Sequence, residues 1–332
     1  MKPYLYFDGL LKLTQEIRGT EVVHMGIRPY GFHAGNVMTF IVYPYLLCKY
    51  LEKLGKKAQF KFIVSINDWE QDILDGPNPR KYPFNIFPKN TSIYFVPDEK
   101  GCCKSVADHW QPIIERNLLV LKNKYPHISF QFVRNSELIN FSFCRELLQE
   151  TMENPLEQFE ILKANSDNET LESPIQYAGV ICPRCHRANG KTTVMGNEII
   201  SWTCGKCNYT TQDSIKNFQY WWYHKPMLLA RMEIFKIDIT LSGGDHYSEG
   251  DFNIRKAFIK KYSPKTKEPR MLFTPTVVTL EGERMSKSRN NTEFANILKL
   301  INVADGFKGG EIMLTEDLIE KNVNEKDYSY IL

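Results

Sequence analysis

Two Cys-x-x-Cys pairs, Cys182–Cys185 and Cys204–Cys207, stand eighteen residues apart. No other feature of the chain restricts its folding as much. Each pair forms a knuckle that offers two thiolates to one tetrahedral ion, and a β-hairpin must bring the knuckles together. Pro183 and Gly205 inside the knuckles suit that turn. Residues 178–212 are therefore expected to form a zinc ribbon, with iron as the alternative metal. Four protein ligands close the shell, so the ion is structural and activates no water. Cys48, Cys102, Cys103 and Cys144 lack ligand spacing and read as core or incidental thiols. Paired metal ligands rather than disulfides fit a reducing compartment, and a cytoplasmic location is expected.

The ribbon leaves most of the 332 residues to a larger fold. That length exceeds one ordinary core, which implies two units or one large α/β unit with an insertion. Apolar residues make up 42% and charged residues 24%, values of a globular chain rather than a disordered or fibrous one. The 42 Lys+Arg and 39 Asp+Glu leave a formal net charge of +3, which permits nucleic-acid contact without requiring it. No run approaches the ~20 apolar residues of a membrane span. The greasiest stretch, residues 37–48, is short and holds Pro44 and two tyrosines. Residues 1–13 carry Asp8, Gly9 and lysines where a signal peptide would be apolar. No internal repeat is present.

Before the ribbon, residues 22–26 read as a strand, residues 26–36 as a glycine- and proline-marked turn, and residues 37–54 as a helix stopped at Gly55. Residues 57–66 read as a second strand ending at Asn67-Asp68. Strand, turn, helix and strand make the βαβ unit of a parallel sheet. Further on, residues 75–88 predict a loop, 92–96 a strand, 105–121 a helix, 128–133 a strand and 137–162 a helical stretch broken near Pro155. Residues 164–173 read as a linker. Beyond the ribbon, the pattern predicts a helix over 218–235 with Pro226 near its start or at a kink. A strand over 237–241, a helix over 250–262, a strand over 277–280 and a loop over 281–291 follow.

Two loops suit a nucleotide. Residues 31–36 lie between strand and helix, where free backbone N–H groups attract anions. His33 and Asn36 share one face there, and Gly35 lets a ligand approach. In residues 282–289, cations and hydroxyls suit a triphosphate, with the Lys287 ammonium placed to offset pyrophosphate charge. Taken singly, the first is an incidental histidine in a turn and the second a solvated charged loop. The Gly190-Lys191-Thr192 run is not a P-loop, because Cys185 occupies the position that needs glycine.

Together the two loops resemble the signatures of class I aminoacyl-tRNA synthetases. His33-Ala34-Gly35-Asn36 departs from the first by Asn for the final His, in a turn one residue shorter than the commonest form. Arg284-Met285-Ser286-Lys287-Ser288 departs from the second by Arg for the first Lys. Residues 97–110 are similar to a segment of the class I lysyl-tRNA synthetases, with Cys103 in place of His. Asn67-Asp68, the ribbon's position and Gly243-Gly244-Asp245-His246 fit the same subfamily. The resemblance covers about residues 22–291.

It implies an α/β, Rossmann-type nucleotide-binding fold with helices on both faces of a parallel sheet and the ribbon inserted. Residues 1–177 would form the first half of the catalytic domain with connecting helices, 178–212 the ribbon, 213–292 the second half and 293–332 a short tail. It implies a ligase that forms an aminoacyl-adenylate from ATP, with Mg, and passes the acyl group to tRNA. His33 and Asn36 would hold the phosphates and Lys287 the leaving pyrophosphate, with Met285, Ser286 and Ser288 in the same loop. Gly243, Asp245 and His246 would orient the nucleoside, and Gly35 would leave room for adenine. Gly26, Arg28, Trp221 and His224 would line the pocket for lysine or a similar amino acid. Trp221, Trp222 and Tyr223 offer a face for an ammonium, and equally the makings of an ordinary core. The acidic residue that the family carries near His224 is absent.

Only residues 291–332 follow the second loop, where a lysyl enzyme continues into an anticodon-reading helical domain. That points to tRNA charging without anticodon contact, to a separate RNA-binding partner, or to a paralogue with a non-tRNA acceptor. A non-catalytic RNA- or protein-binding paralogue and a small-molecule nucleotidylyltransferase are the readings from other classes. Lys260, Lys261, Lys265, Lys267 and Arg270 suit an acceptor stem and equally a solvated helix end. No membrane partner is expected.

Overall fold

The computed structural model describes residues 2–29, 34–70, 92–98, 100–165, 177–188, 190–222, 224–248, 250–278 and 311–313. Its centre is the βαβ unit. After β1 (Tyr4–Leu5) and α1 (Tyr6–Glu16), the chain enters β2 (Thr20–Ile27) and reaches β3 (Gln59–Ile66) through a helical run. The two strands pair in parallel from Thr20 opposite Gln59 to Ile27 opposite Ile66. The helical run is α2 (Ala34–Val37), a π-turn at Met38–Val42, and α3 (Tyr43–Lys53). Pro44 has no N–H, and its ring would clash with the carbonyl four residues back in a regular helix. The π-turn covers that carbonyl and takes up the misfit.

The first half continues through α4 (Val106–Lys124), β4 (Ile128–Arg134), α5 (Ser142–Glu153) and α6 (Pro155–Asn165). The ribbon follows with β5 (Ala178–Val180), β6 (Lys191–Gly196), β7 (Ile199–Thr203), β8 (Thr210–Ser214) and β9 (Tyr220–Trp222). The second half holds α7 (His224–Phe235), β10 (Ile239–Ser242), α8 (Gly244–Ser248), α9 (Asp251–Tyr262), β11 (Arg270–Phe273) and β12 (Thr276–Val278). A short β13 (Glu311–Met313) pairs with β12.

Six parallel strands form the main sheet in the order β1-β11-β10-β2-β3-β4. Its strands are nearly continuously apolar because helices cover both faces. Phe62 and Val64 join Leu10, Leu46 and Leu118 in one core. Ile63 faces the other, with Leu147, Leu148, Leu229 and Met232. The chain steps outward from β2 in one direction and from β10 in the other. The crevice at the carboxyl ends of β2 and β10 is thus the topological switch point, where such sheets bind ligands.

The structure revises several expectations. Residues 92–96 do not form a strand: Ile93–Phe95 is a 3-10 turn, with Ser92 Oγ accepting from the Tyr94 N–H at 3.3 Å. The Val96 carbonyl is taken by the Val106 N–H, so the run ends in the helix start rather than a ladder. The helix expected over 218–235 begins only at His224. Tyr220–Trp222 instead pairs antiparallel with Ala178–Val180, closing the ribbon's base. Its three aromatics favour a pleated surface. The strand near 277 is Thr276–Val278 and lies outside the main sheet. α1, β1 and β11 were not expected, the two strands being too short to show a period. Gly9 lets α1 fold back on β1, since a Cβ there would stand 2.5 Å from the Tyr4 carbonyl carbon. The loops expected over 75–88 and 281–291 lie outside the described residues, as do residues 166–173 of the linker. Among the described residues, no helix is long and apolar enough to cross a membrane.

Candidate active site and metal centres

The ribbon brings its four cysteines together as expected. Cys182 Sγ stands 3.6 Å from Cys207 Sγ and Cys185 Sγ 3.5 Å from Cys204 Sγ, and all four sulfurs lie within 4.8 Å of one another. Tetrahedral bonds of about 2.3 Å to zinc set sulfurs about 3.8 Å apart, so the cluster fits one ion. The two knuckles fold alike. His186 and Asn208 donate to the carbonyls of Cys182 and Cys204, and both adopt left-handed conformations, with φ of 58° and 55°. The Lys206 N–H donates to Cys204 Sγ at 3.3 Å, and the Arg184 guanidinium lies 4.2 Å from the Tyr209 ring centre. Burial, and then the neighbouring sulfurs, push the Cys185 thiol up to about 12. A cation among the sulfurs lets all four ionise. Gly190 serves packing: a Cβ there would stand inside the Trp202 indole.

A second cluster escaped sequence reasoning. Asp98, Cys102, Cys103 and His109 also bring one ligand atom each within 4.8 Å of the others. Cys102 Sγ is 3.0 Å from Cys103 Sγ and 3.2 Å from His109 Nδ1, which is 3.2 Å from Asp98 Oδ1. Cys102 and Cys103, read from sequence as incidental thiols without ligand spacing, thus stand among possible ligands, and His109 reaches the turn only because α4 starts there. The two clusters are linked. Phe95, just before Asp98, stacks on His186 of the first knuckle with ring centres 4.1 Å apart.

The crevice is bounded by the ends of β2, β3 and β10. Asn36 lies half-buried on α2, and outside the adjoining residues and the helix's own backbone no described atom comes within 4 Å of where a Cβ on Gly35 would stand. Directly after β10 come Gly243, Gly244, Asp245 and His246. A side chain on Gly243 would strike the Asp245 carboxylate. A Cβ on Gly244 would stand 2.5 Å from the Thr274 carbonyl oxygen and 3.0 Å from Thr276 Oγ1. α2 also packs on β12, so the helices that follow β2 and β10 both abut the chain around β11 and β12. His33, Met285, Ser286, Lys287 and Ser288 lie outside the described residues, as does the side chain of His224.

Buried polar contacts lock these strand ends. Gly26 leaves space that Arg231 and Asn67 fill, their side-chain nitrogens 3.5 Å from its Cβ position. Arg231 Nη2 donates to Asn67 Oδ1 at 3.0 Å and Asn135 Oδ1 at 2.7 Å, tying α7 to the ends of β3 and β4. Arg28 pairs with the buried Glu70. Asp68 accepts from the Ser136 N–H at 3.0 Å, and burial pushes its carboxyl up to about 6 against that bond and the Arg134 charge. His24, 3.0 Å from Ser65 Oγ, is held neutral, first by burial and then by the charges of Arg231 and Arg255. Trp222 is core, whereas Trp221 beside it is half-buried. The Trp222 N–H donates to the Trp69 carbonyl at 3.0 Å, which sets β9 against the end of β3.

Below His246 lies Asp251, fully buried at the start of α9. Its carboxylate pairs with Lys225 and with Arg255 Nη2 at 3.0 Å, and His246 Nδ1 is 3.3 Å from its Oδ2. Arg255 reaches on to Thr240 Oγ1 and Ser242 Oγ at 3.2 and 3.0 Å. The Asp251–Arg255 pair on α9 was readable as an i,i+4 contact. The convergence of Lys225 and His246 on it was not. Of the basic stretch, Lys261 pairs with Glu157, Lys267 with Asp238 and Arg270 with Glu21, which favours the structural reading.

A parallel sheet with a glycine-lined switch point and an inserted four-cysteine ribbon defines an α/β protein of the Rossmann type. The chain belongs to the family described as tRNA synthetases class I (K), whose model matches residues 9–303. It is 25% identical to the lysine–tRNA ligase of Thermococcus kodakarensis over 81% of this chain and 50% of that protein. It is 26% identical to the lysine–tRNA ligase of Methanococcus maripaludis, over 69% of this chain and 42% of that protein. The chain thus spans about half the length of these relatives or less. Among solved structures, Mycobacterium tuberculosis methionyl-tRNA synthetase in complex with methionyl-adenylate is similar at 12% identity, with a TM-score of 0.42. The match covers 90% of this chain and 66% of that one.

Proposed function

We propose that the chain activates an amino acid with ATP, forming an aminoacyl-adenylate and pyrophosphate, and passes the acyl group to a tRNA. Lysine is the amino acid of this reading. The family match over residues 9–303 carries it, supported by Gly243–His246 at the switch point. The amino-acid carboxylate attacks the α-phosphorus, and the bond to the bridging oxygen of pyrophosphate breaks. That step needs charge stabilisation on phosphate oxygens more than a base. His33 and Asn36 hold the phosphates, and Lys287, with Met285, Ser286 and Ser288, steadies the leaving pyrophosphate. Mg arrives with ATP and keeps much of its water. Gly243, Asp245 and His246 orient the nucleoside, and Gly35 admits adenine. Gly26, Arg28, His224 and Trp221 line the amino-acid side, with Glu70 as a carboxylate the sequence had not suggested.

In this reading residues 1–177 and 213–292 are the catalytic halves and 293–332 a tail. Zinc on Cys182, Cys185, Cys204 and Cys207 braces the ribbon at residues 178–212 and takes no part in the reaction. Asp98, Cys102, Cys103 and His109 hold a second ion of the same kind.

Amino-acid-dependent ATP–pyrophosphate exchange, run over the standard amino acids with and without bulk tRNA, tests the proposal. Exchange with lysine, and lysyl-tRNA as product, is the expected result. Exchange without tRNA charging indicates another acceptor. No exchange from folded, metal-loaded protein overturns the reading in favour of a binding paralogue. Lys287→Ala is expected to lower the activation rate far more than it weakens amino-acid binding.

A further inference from the structure

Family membership accounts for a nucleotide near His246 but not for the enclosed carboxylate beneath it. Resting on the nucleotide-binding reading above, we propose that Asp251 is a positioning residue that fixes the tautomer of His246. It keeps the proton of the neutral imidazole on Nδ1 and so presents Nε2 to the crevice as an acceptor for a ribose hydroxyl.

Three observations carry this. Asp251 is 0% exposed, and Lys225 and Arg255 both contact its carboxylate, which stabilises the ionised, acceptor-only form. His246 Nδ1 is a buried atom 3.3 Å from Asp251 Oδ2, an approach within ion-pair reach but not in line for a hydrogen bond, and the His246 side chain as a whole is 39% exposed. With Nδ1 enclosed, the exposure falls on the rest of the ring, which includes Nε2. A ring nitrogen facing an ionised carboxylate carries the proton, and the lone pair then falls on the other nitrogen.

The assembly is also rigid. Gly250 enters α9 with φ of 79°, a left-handed conformation that turns the chain so that Asp251 points back under α8. Arg255 bridges Asp251 to Thr240 and Ser242, so the carboxylate is tied to the strand that delivers Gly243–His246. The opposite tautomer would put a donor in the crevice, suited to a phosphate oxygen. The Nδ1–H form suits a hydroxyl donor and so reads the sugar.

Nitrogen-15 NMR of the full chain with labelled histidine at about pH 8, assigned with His246→Ala, tests the proposal on two levels. The free protein is expected to show protonated Nδ1 and unprotonated Nε2 at His246, with the pattern altered in Asp251→Asn. Adenosine is expected to move the Nε2 resonance, and 2′,3′-dideoxyadenosine to leave it in place. An Nε2–H tautomer, a tautomer unchanged in folded Asp251→Asn, or equal response to both nucleosides overturns the proposal. Should Asp251→Asn fail to fold, the wild-type tautomer and the nucleoside pair still decide. In exchange assays Asp251→Asn is expected to raise the KM for ATP about fivefold, the worth of one hydrogen bond, without moving that for the amino acid. The same rise in a His246→Ala background would show that Asp251 acts by another route and sink the proposal. A correct tautomer and adenosine response without any exchange activity would count against amino-acid activation while upholding the role of Asp251.

Discussion

The parallel sheet and the ribbon are held together by opposite means. In the sheet, side chains from six strands and the helices on both faces share the stabilisation, and Phe60, Phe62, Ile63, Val64 and Ile66 of one strand are all fully enclosed. In the ribbon, β6 and β8 leave their residues partly or fully exposed, and besides the ligand Cys204 only Ile200, Trp202 and Ile215 are buried apolar residues among the described residues 191–215. Its cohesion falls on four sulfurs. Distributed packing makes the sheet tolerant of a single loss, whereas concentrated ligation makes the ribbon conditional on one ion.

Cys204→Ser is expected to have the largest effect. Structural zinc binding supplies about 10–16 kcal/mol in small metal-folded modules, so losing a ligand should unfold the ribbon. Metal analysis should show one ion fewer per chain, and amides of 191–214 should exchange rapidly while those of β2 and β3 stay protected. Loss of protection in the sheet as well would break the contrast. Phe62→Ala sharpens it from the other side. A cost of about 3–5 kcal/mol in urea unfolding is expected, with metal content unchanged.

Asp68→Asn comes next. Burial raises the folded-state pKa of this group from 3.8 to about 6, so the native protein holds the proton more tightly than the unfolded chain. Wild-type stability from this group is fully present below pH 4 and is lost as pH rises through 6. The variant cannot titrate there. Its stability relative to wild type should climb by up to about 3 kcal/mol over that window and then level off, read from urea midpoints at each pH. Lys267→Ala is the smallest. The pair with Asp238 spans 2.9 Å, but the lysine side chain is 75% exposed, and a change within about 1 kcal/mol in thermal unfolding is expected.

Legibility followed period and spacing. β2, β3, β4 and α4 were readable because long apolar runs report their own burial. The ribbon was readable because two thiolate pairs admit few other chemistries. Residues 92–96 and 220–222 misled for a common reason: both are short and apolar, and their backbone partners, Val106 for one and Ala178–Val180 for the other, lie far enough along the chain to leave no local trace. Asn67-Asp68 announced a strand end. Arg231, which bonds Asn67 from 164 residues away, did not.

By itself the sequence determined the βαβ start, the closed four-cysteine centre and the glycine-rich segments after two strands, since each depends on neighbours a few residues apart. Only the tertiary structure decided the strand order and the switch-point crevice. It also set the meeting of Asp98 with His109 and the convergence of Lys225, His246 and Arg255 on Asp251. Those contacts join separate elements, and side-chain chemistry there is set by the packing that excludes water, which no local pattern encodes.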